Sequence, residues 1–106
     1  FVGLNFMRDF LDVRDVARAL CCLINEKSAG LSTYNICSGK GTYLSDLYKK
    51  IYYILKGRHV PGTFFDNDDN GFSIYGSNEK FRSHFDWSPS IDLQHSLDDQ
   101  INELIK

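Results

Sequence analysis

Residues Ser38-Gly39-Lys40-Gly41-Thr42 offer the first pattern with chemical potential, because a glycine-rich turn before a helix is where backbone N–H groups gather around phosphates. A phosphate loop requires G-x-x-x-x-G-K-[ST]. Here Lys40 is followed by Gly41, and Tyr34 stands five residues before Gly39, so the pattern fails at both ends. Asp66, Asp68, Asn70 and Gly71 occupy the first, third, fifth and sixth places of a calcium loop. Its twelfth place needs a bidentate glutamate and holds Ser77, with Glu79 displaced by two, so a solvated acidic turn is the favoured reading. His59, His84 and His95 lack metal-ligand spacing, and Cys21, Cys22 and Cys37 form neither a C-x-x-C pair nor an even disulfide set. Tyr52 and Lys56 match the bare Y-x-x-x-K spacing, but at the end of an apolar helix and without a serine partner. No G-x-S-x-G elbow and no G-x-G-x-x-G fingerprint is present.

The elements that would position such residues follow from periodicity. Phe10 to Val13 reads as a short strand or strand end. Val13, Val16, Ala17, Leu20, Leu23 and Ile24 then recur at helical spacing, with Asp12 or Asp15 serving the first turn and Gly30 in the loop beyond. Cys21 and Cys22 fall inside this pattern as small core or interface residues. Thr33 to Cys37 predicts a strand, and Thr42 an N-cap. The helix after it carries Leu44, Leu47, Tyr48, Ile51, Ile54 and Leu55 on one face and stops at Gly57. Residues 59–65 read as extended or irregular, with a turn at Pro61-Gly62, and Phe72 to Tyr75 as a short strand. A short helix over 77–85 ends before Ser88-Pro89, and a last helix from Leu93 carries Leu97, Ile101, Leu104 and Ile105.

Composition bounds the class. The chain has 106 residues, 42% hydrophobic and 14% aromatic, with a formal charge of -2. That is one small globular domain over residues 1–106, with no basic run to support nucleic-acid binding and no apolar run long enough to span a bilayer. Cysteine usage and the lack of a signal peptide predict a cytoplasmic, reducing setting. The first residue is Phe1 and the single methionine is Met7, so the chain reads as a piece of a longer protein. The fold class is α/β, helices with short strands. The strands are too few for a full parallel sheet, so an apolar face that wants a partner domain is expected.

Three segments, in order, resemble one family. Arg8-Asp9-Phe10-Leu11-Asp12-Val13-Arg14-Asp15-Val16-Ala17 is similar to the R-D-[FY]-[IV]-x-V-x-D-[VL]-A run of extended short-chain dehydrogenases/reductases acting on nucleotide sugars. Tyr34-Asn35-Ile36-Cys37-Ser38-Gly39 resembles their Y-N-[IL]-x-S-G turn. Lys80 with Asp86-Trp87-Ser88-Pro89-Ser90-Ile91-Asp92-Leu93 resembles their S-K…G-W-x-P-x-[IV]-x-L ending. The resemblance implies the C-terminal substrate-binding part of an NAD(P)-dependent nucleotide-sugar epimerase or dehydratase, normally packed on a Rossmann domain that holds the cofactor and the catalytic Ser/Tyr/Lys set.

It implies for Arg8 a contact with the substrate diphosphate, to which guanidinium presents paired donors; the alternative is an arginine tied to a local carboxylate such as Asp9. The family's R-x-x-D pair falls, counting back from Lys80, on Asn67 and Asn70. These stand as substrate-side positions whose grip on the nucleotide is weakened, rearranged or built for a different substrate, and Asn78 in place of serine is a smaller departure. No catalytic residue, cofactor or metal is expected within the 106 residues. NAD or NADP belongs to the parent enzyme, and the isolated chain is expected to be inactive and prone to self-association. Two other readings stand beside this one: a non-catalytic ligand-sensing or protein-binding module on the same fold, and a small calcium-binding domain.

Overall fold

The computed structural model of the protein describes residues 5–26, 32–61 and 72–105. Asn67, Asn70 and the whole Asp66–Gly71 run lie outside the described residues, as does Gly30. Strand β1 (Met7–Arg8) leads into helix α1 (Val13–Ile24). Strand β2 (Thr42–Tyr43) leads directly into helix α2 (Leu44–Lys56), and helices α3 (Glu79–His84) and α4 (Leu93–Leu104) complete the order. The two strands pair antiparallel, Met7 opposite Tyr43 and Arg8 opposite Thr42. The α/β class holds, with four helices and a two-stranded sheet among the described residues.

Helix starts follow the side chains available to cap them. Asp12 accepts from the Arg14 N–H at 2.8 Å and opens α1; Asp92 accepts from the His95 N–H at 2.8 Å and opens α4. Helix α2 ends at Gly57, whose positive φ of 68° lets its N–H reach the Tyr53 carbonyl at 2.8 Å. Thr42 does not cap α2. It lies in β2, and the cap position falls to Tyr43, whose phenol has no short oxygen to turn back on the first-turn N–H groups; the Leu44 N–H is met instead by the Phe6 carbonyl at 3.0 Å.

The core is aromatic. Ala19, Phe81 and Trp87 are buried, with Leu11, Cys22, Leu23, Tyr34, Ile36 and Phe85 packed around them. Phe81 meets Trp87 edge-on at 5.3 Å and stacks on Phe85 at 4.8 Å, while Tyr34 sets its edge against Phe81 and Phe85 at 5.5 Å each. Such pairs add about 0.5–1.5 kcal/mol apiece beyond the area they bury.

Four expectations are corrected. Helix α1 turns Asp15, Ala19, Cys22 and Leu23 inward, whereas Val13 is 74%, Leu20 48% and Ile24 80% exposed, and Cys21 lies outside with them. Both faces of the helix carry apolar residues, and contact with α3 and Trp87 selects the one that includes an aspartate. Thr33 to Cys37 is not a strand: the Thr33 carbonyl accepts from Lys80 Nζ at 2.7 Å and the Cys37 carbonyl from Asn78 Nδ2 at 2.9 Å, so side chains at and just before α3 serve where a neighbouring strand would. Phe10 to Asp12 is likewise irregular, and Phe72 to Tyr75 runs beside β1 with one backbone bond, Ile74 N–H to the Met7 carbonyl at 3.1 Å, too little for a ladder. Among the described residues no helix is long and apolar enough to cross a membrane.

Candidate functional site

Arg8 sits at the end of β1, partly buried. Its guanidinium lies 4.4 Å from the centre of the Phe6 ring, a cation–π contact. One terminal nitrogen, Nη1, donates to the Met7 carbonyl at 2.7 Å and also to the Phe72 carbonyl. Among the described residues Arg8 makes no ion pair, so the local pairing with Asp9 is not formed. Both bonds leave from Nη1, and the Nε–Nη2 edge, which can match two oxygens of a phosphate, makes no hydrogen bond to a described residue.

Asp9 turns the other way. Its carboxylate accepts from the Ser38 N–H at 2.9 Å, the Gly39 N–H at 3.1 Å and the Gly76 N–H at 3.2 Å. Gly39 holds a φ of +80°, a conformation that side chains rarely adopt, and this aims successive N–H groups at one carboxylate. The Ser38-Gly39 donors that could have cradled a phosphate are therefore occupied from within the chain. With no glycine-rich fingerprint elsewhere in the sequence, these residues do not fit a dinucleotide cradle. Burial, with the charge of Asp9 added, pushes the nearby Cys37 thiol above its ordinary pKa.

Asp15 is fully buried and organises the chain's later segment. Oδ1 accepts from Arg18 Nη2 at 2.6 Å and from Ser90 Oγ at 2.9 Å; Oδ2 accepts from the N–H groups of Ser90 and Ile91 at 3.1 and 3.0 Å; and its backbone carbonyl accepts from Trp87 Nε1 at 3.0 Å. Burial alone would raise the Asp15 pKa, but the bonds from Arg18, Ile91 and Ser90 outweigh it and hold the carboxyl below the usual range. Arg14 lowers the Asp12 pKa more strongly, through two side-chain bonds at 3.0 and 2.9 Å, and also reaches Asp99 on α4 at 2.9 Å. The segments that carried the family resemblance thus hold one another: Asp9 binds the Ser38-Gly39 turn, and Asp15 binds the Trp87–Ile91 run.

Sequence reasoning singled out Arg8 but began its strand at Phe10, whereas β1 is Met7–Arg8; it missed Asp9 as a three-way acceptor and treated Asp15 only as a first-turn residue. The spacing of Asp15, Ala19 and Cys22 marks one helical face and was a legible signal for the second. His84 hydrogen-bonds Tyr34 Oη through Nδ1 at 2.8 Å, and His95 lies 3.1 Å from Asp99 one helical turn on; both are exposed and bonded within the chain. Among the described residues no group of His, Cys, Asp or Glu could hold a metal ion.

No family model matches the chain. Solved structures do. The NADPH complex of RMD from Pseudomonas aeruginosa superposes with a TM-score of 0.77 at 25% identity over 97% of this chain. The NAD complex of dTDP-glucose 4,6-dehydratase from Bacillus anthracis gives 0.72 at 23% over 96%, and UDP-glucose 4-epimerase from Thermotoga maritima with UDP-glucose gives 0.69 at 21% over 100%. The chain spans only 34%, 32% and 35% of those proteins, respectively. Two of the three are named for nucleotide-linked sugars, dTDP-glucose and UDP-glucose, and the described structure reproduces part of the fold: the chain has the fold of about a third of an extended short-chain dehydrogenase/reductase.

Proposed function

We propose that residues 1–106 form the C-terminal substrate-binding part of an NAD(P)-dependent enzyme that epimerises or dehydrates a nucleotide-linked sugar. The observation that carries this reading is the superposition on the NADPH-bound enzyme over 97% of the chain, with the R-D-F segment at β1. In this reading the hydride chemistry belongs to the cofactor, held by a Rossmann domain, and this part of the protein grips the nucleotide diphosphate. Arg8 is the residue for that grip: carbonyls of Met7 and Phe72 fix Nη1, and the Nε–Nη2 edge serves two phosphate oxygens. Asn67 and Asn70 belong to the same substrate side. The outward face of α1, with Val13, Leu20 and Ile24, is the apolar surface that the Rossmann domain would cover.

The test is substrate and cofactor affinity of the full-length protein. A hydrogen bond to a charged group contributes about 1.5–3 kcal/mol. Arg8→Ala should therefore weaken nucleotide-sugar binding roughly 10- to 100-fold. Arg8→Lys should restore only part of that, because ammonium lacks the planar fork. NAD(P) affinity should stay as in wild type. A folded Arg8→Ala protein that binds nucleotide sugar as tightly as wild type would overturn the role of Arg8.

A further inference from the structure

Residues 72–76 run beside β1 and Arg8 without joining the sheet, held there by a few separate bonds. The Ile74 N–H donates to the Met7 carbonyl at 3.1 Å, and the Met7 N–H donates to Ser73 Oγ at 3.2 Å. At the far end of the run the Gly76 N–H donates to the Asp9 carboxylate at 3.2 Å. At its near end the Phe72 carbonyl accepts from Arg8 Nη1. The two neighbours on the chain, Arg8 and Asp9, thus grasp opposite ends of one five-residue run.

Asp9 also fixes what that run leans on. Its other two bonds hold the Ser38-Gly39 turn, and Cys37, one residue earlier, is the closest approach to Gly76: a Cβ built there would lie 2.7 Å from Cys37 Sγ. The carboxylate therefore joins three stretches of chain, the end of β1, the turn at 38–39 and the run at 72–76, and neither of the first two forms a regular ladder with the run. Remove it and two segments lose their shared acceptor. Among the described residues the run is then held to β1 by the Ser73 and Ile74 bonds and by Tyr75 against Gly41, so the Phe72 carbonyl that anchors Arg8 Nη1 is less firmly placed, while the guanidinium keeps its bond to the Met7 carbonyl and its contact with the Phe6 ring.

We infer that Asp9 is a positioning residue for the substrate edge: by clamping Gly76 and the Ser38-Gly39 turn to β1 it fixes the Phe72 carbonyl, and through it the orientation of the Arg8 guanidinium. The consequence for ligand binding rests on the diphosphate role proposed for Arg8; the positioning does not. Asp9 touches no ligand in this account. Its carboxylate is spent on three backbone donors, so its charge is stabilised by N–H dipoles and its oxygens do not pair with the neighbouring guanidinium.

The experiment has two arms. In the first, solvent exchange of the Arg8 guanidinium protons is followed by 15N NMR in the ligand-free protein, for wild type, Asp9→Asn and Asp9→Ala. Asparagine keeps one acceptor oxygen, which can retain the Gly39 and Gly76 bonds that share Oδ2. Exchange should rise about tenfold in Asp9→Ala, the effect of one lost charge-assisted hydrogen bond, and less in Asp9→Asn. Unchanged exchange in a folded Asp9→Ala protein overturns the inference.

In the second arm, UDP-glucose and dTDP-glucose affinities are measured in the full-length protein for Asp9→Ala, Arg8→Ala and the double variant. Asp9→Ala alone should weaken binding about tenfold, and it should add nothing once Arg8 is gone, the non-additivity of residues acting through one contact. Full additivity overturns the claim that Asp9 acts through Arg8, since general loosening of the fold would weaken both backgrounds alike. If Arg8→Ala itself leaves affinity unchanged, the diphosphate reading is what fails, and the exchange arm alone decides the role of Asp9.

Discussion

Replacing Asp15 by alanine should cost the domain much of its stability, and the structure sets the size. The carboxylate is 0% exposed and receives four hydrogen bonds. Arg18 contributes least, because its side chain is 48% exposed and it can return to water; such pairs are worth at most about 1 kcal/mol. The Ile91 N–H loses its acceptor in a half-buried position, which costs about 1–3 kcal/mol. The Ser90 N–H and hydroxyl fall at the low end of that range, about 1 kcal/mol each, since Ser90 is exposed and water can replace the carboxylate.

The sum for Asp15→Ala is about 3–6 kcal/mol, against a total of roughly 5–15 kcal/mol for a domain of this kind. Asp15→Asn can keep one oxygen toward the Ser90 and Ile91 N–H groups, while its amide faces the exposed Arg18, so it should lose only about 1–2 kcal/mol. Urea unfolding read by tryptophan fluorescence suits the question. Trp87 is the chain's single tryptophan, it is 5% exposed, and its Nε1 donates to the Asp15 carbonyl. An alanine variant within about 1 kcal/mol of wild type, or one more stable than the asparagine variant, would refute the account of Asp15 as the tie between α1 and the Trp87–Ile91 run.

Three further outcomes follow from the same structure. Asp12 and Asp15 have folded pKa values below their unfolded ones, so the stability they confer is complete above the ordinary carboxylate value near ~4 and is lost as pH falls through the folded values; the urea midpoint should drop between pH 5 and pH 3, and Asp12→Asn should flatten that slope. The exposed Val13, Leu20 and Ile24 should make the 106-residue chain self-associate, with Leu20→Ser plus Ile24→Ser reducing it; light scattering that shows a monomer at all concentrations for the parent sequence would refute this. Titration calorimetry of the 106-residue chain with NAD and with NADP should give no stoichiometric binding, because the Ser38-Gly39 donors serve Asp9 and no glycine-rich fingerprint exists in the sequence.

The helices were legible because their signals are local. Asp12 before an apolar repeat, Gly57 after one, and Pro89 behind a short helical run fix boundaries through capping bonds and backbone sterics that need no distant partner. The ordered motifs around Arg8, Tyr34 and Trp87 likewise named the fold before any coordinate did. What the sequence left open was every choice between two local options that only a distant contact decides. Helix α1 has two apolar faces, and the contact of Ala19 with Phe81 and Trp87 selects the inner one. Thr33 to Cys37 has strand composition, yet its carbonyls are met by Lys80 and Asn78, more than 40 residues away, and no ladder forms among the described residues. Asp9 reads as a neighbour for Arg8, but three backbone N–H groups from residues 38, 39 and 76 converge on it, and a carboxylate follows donors that are already fixed in place rather than a side chain that must be ordered to meet it.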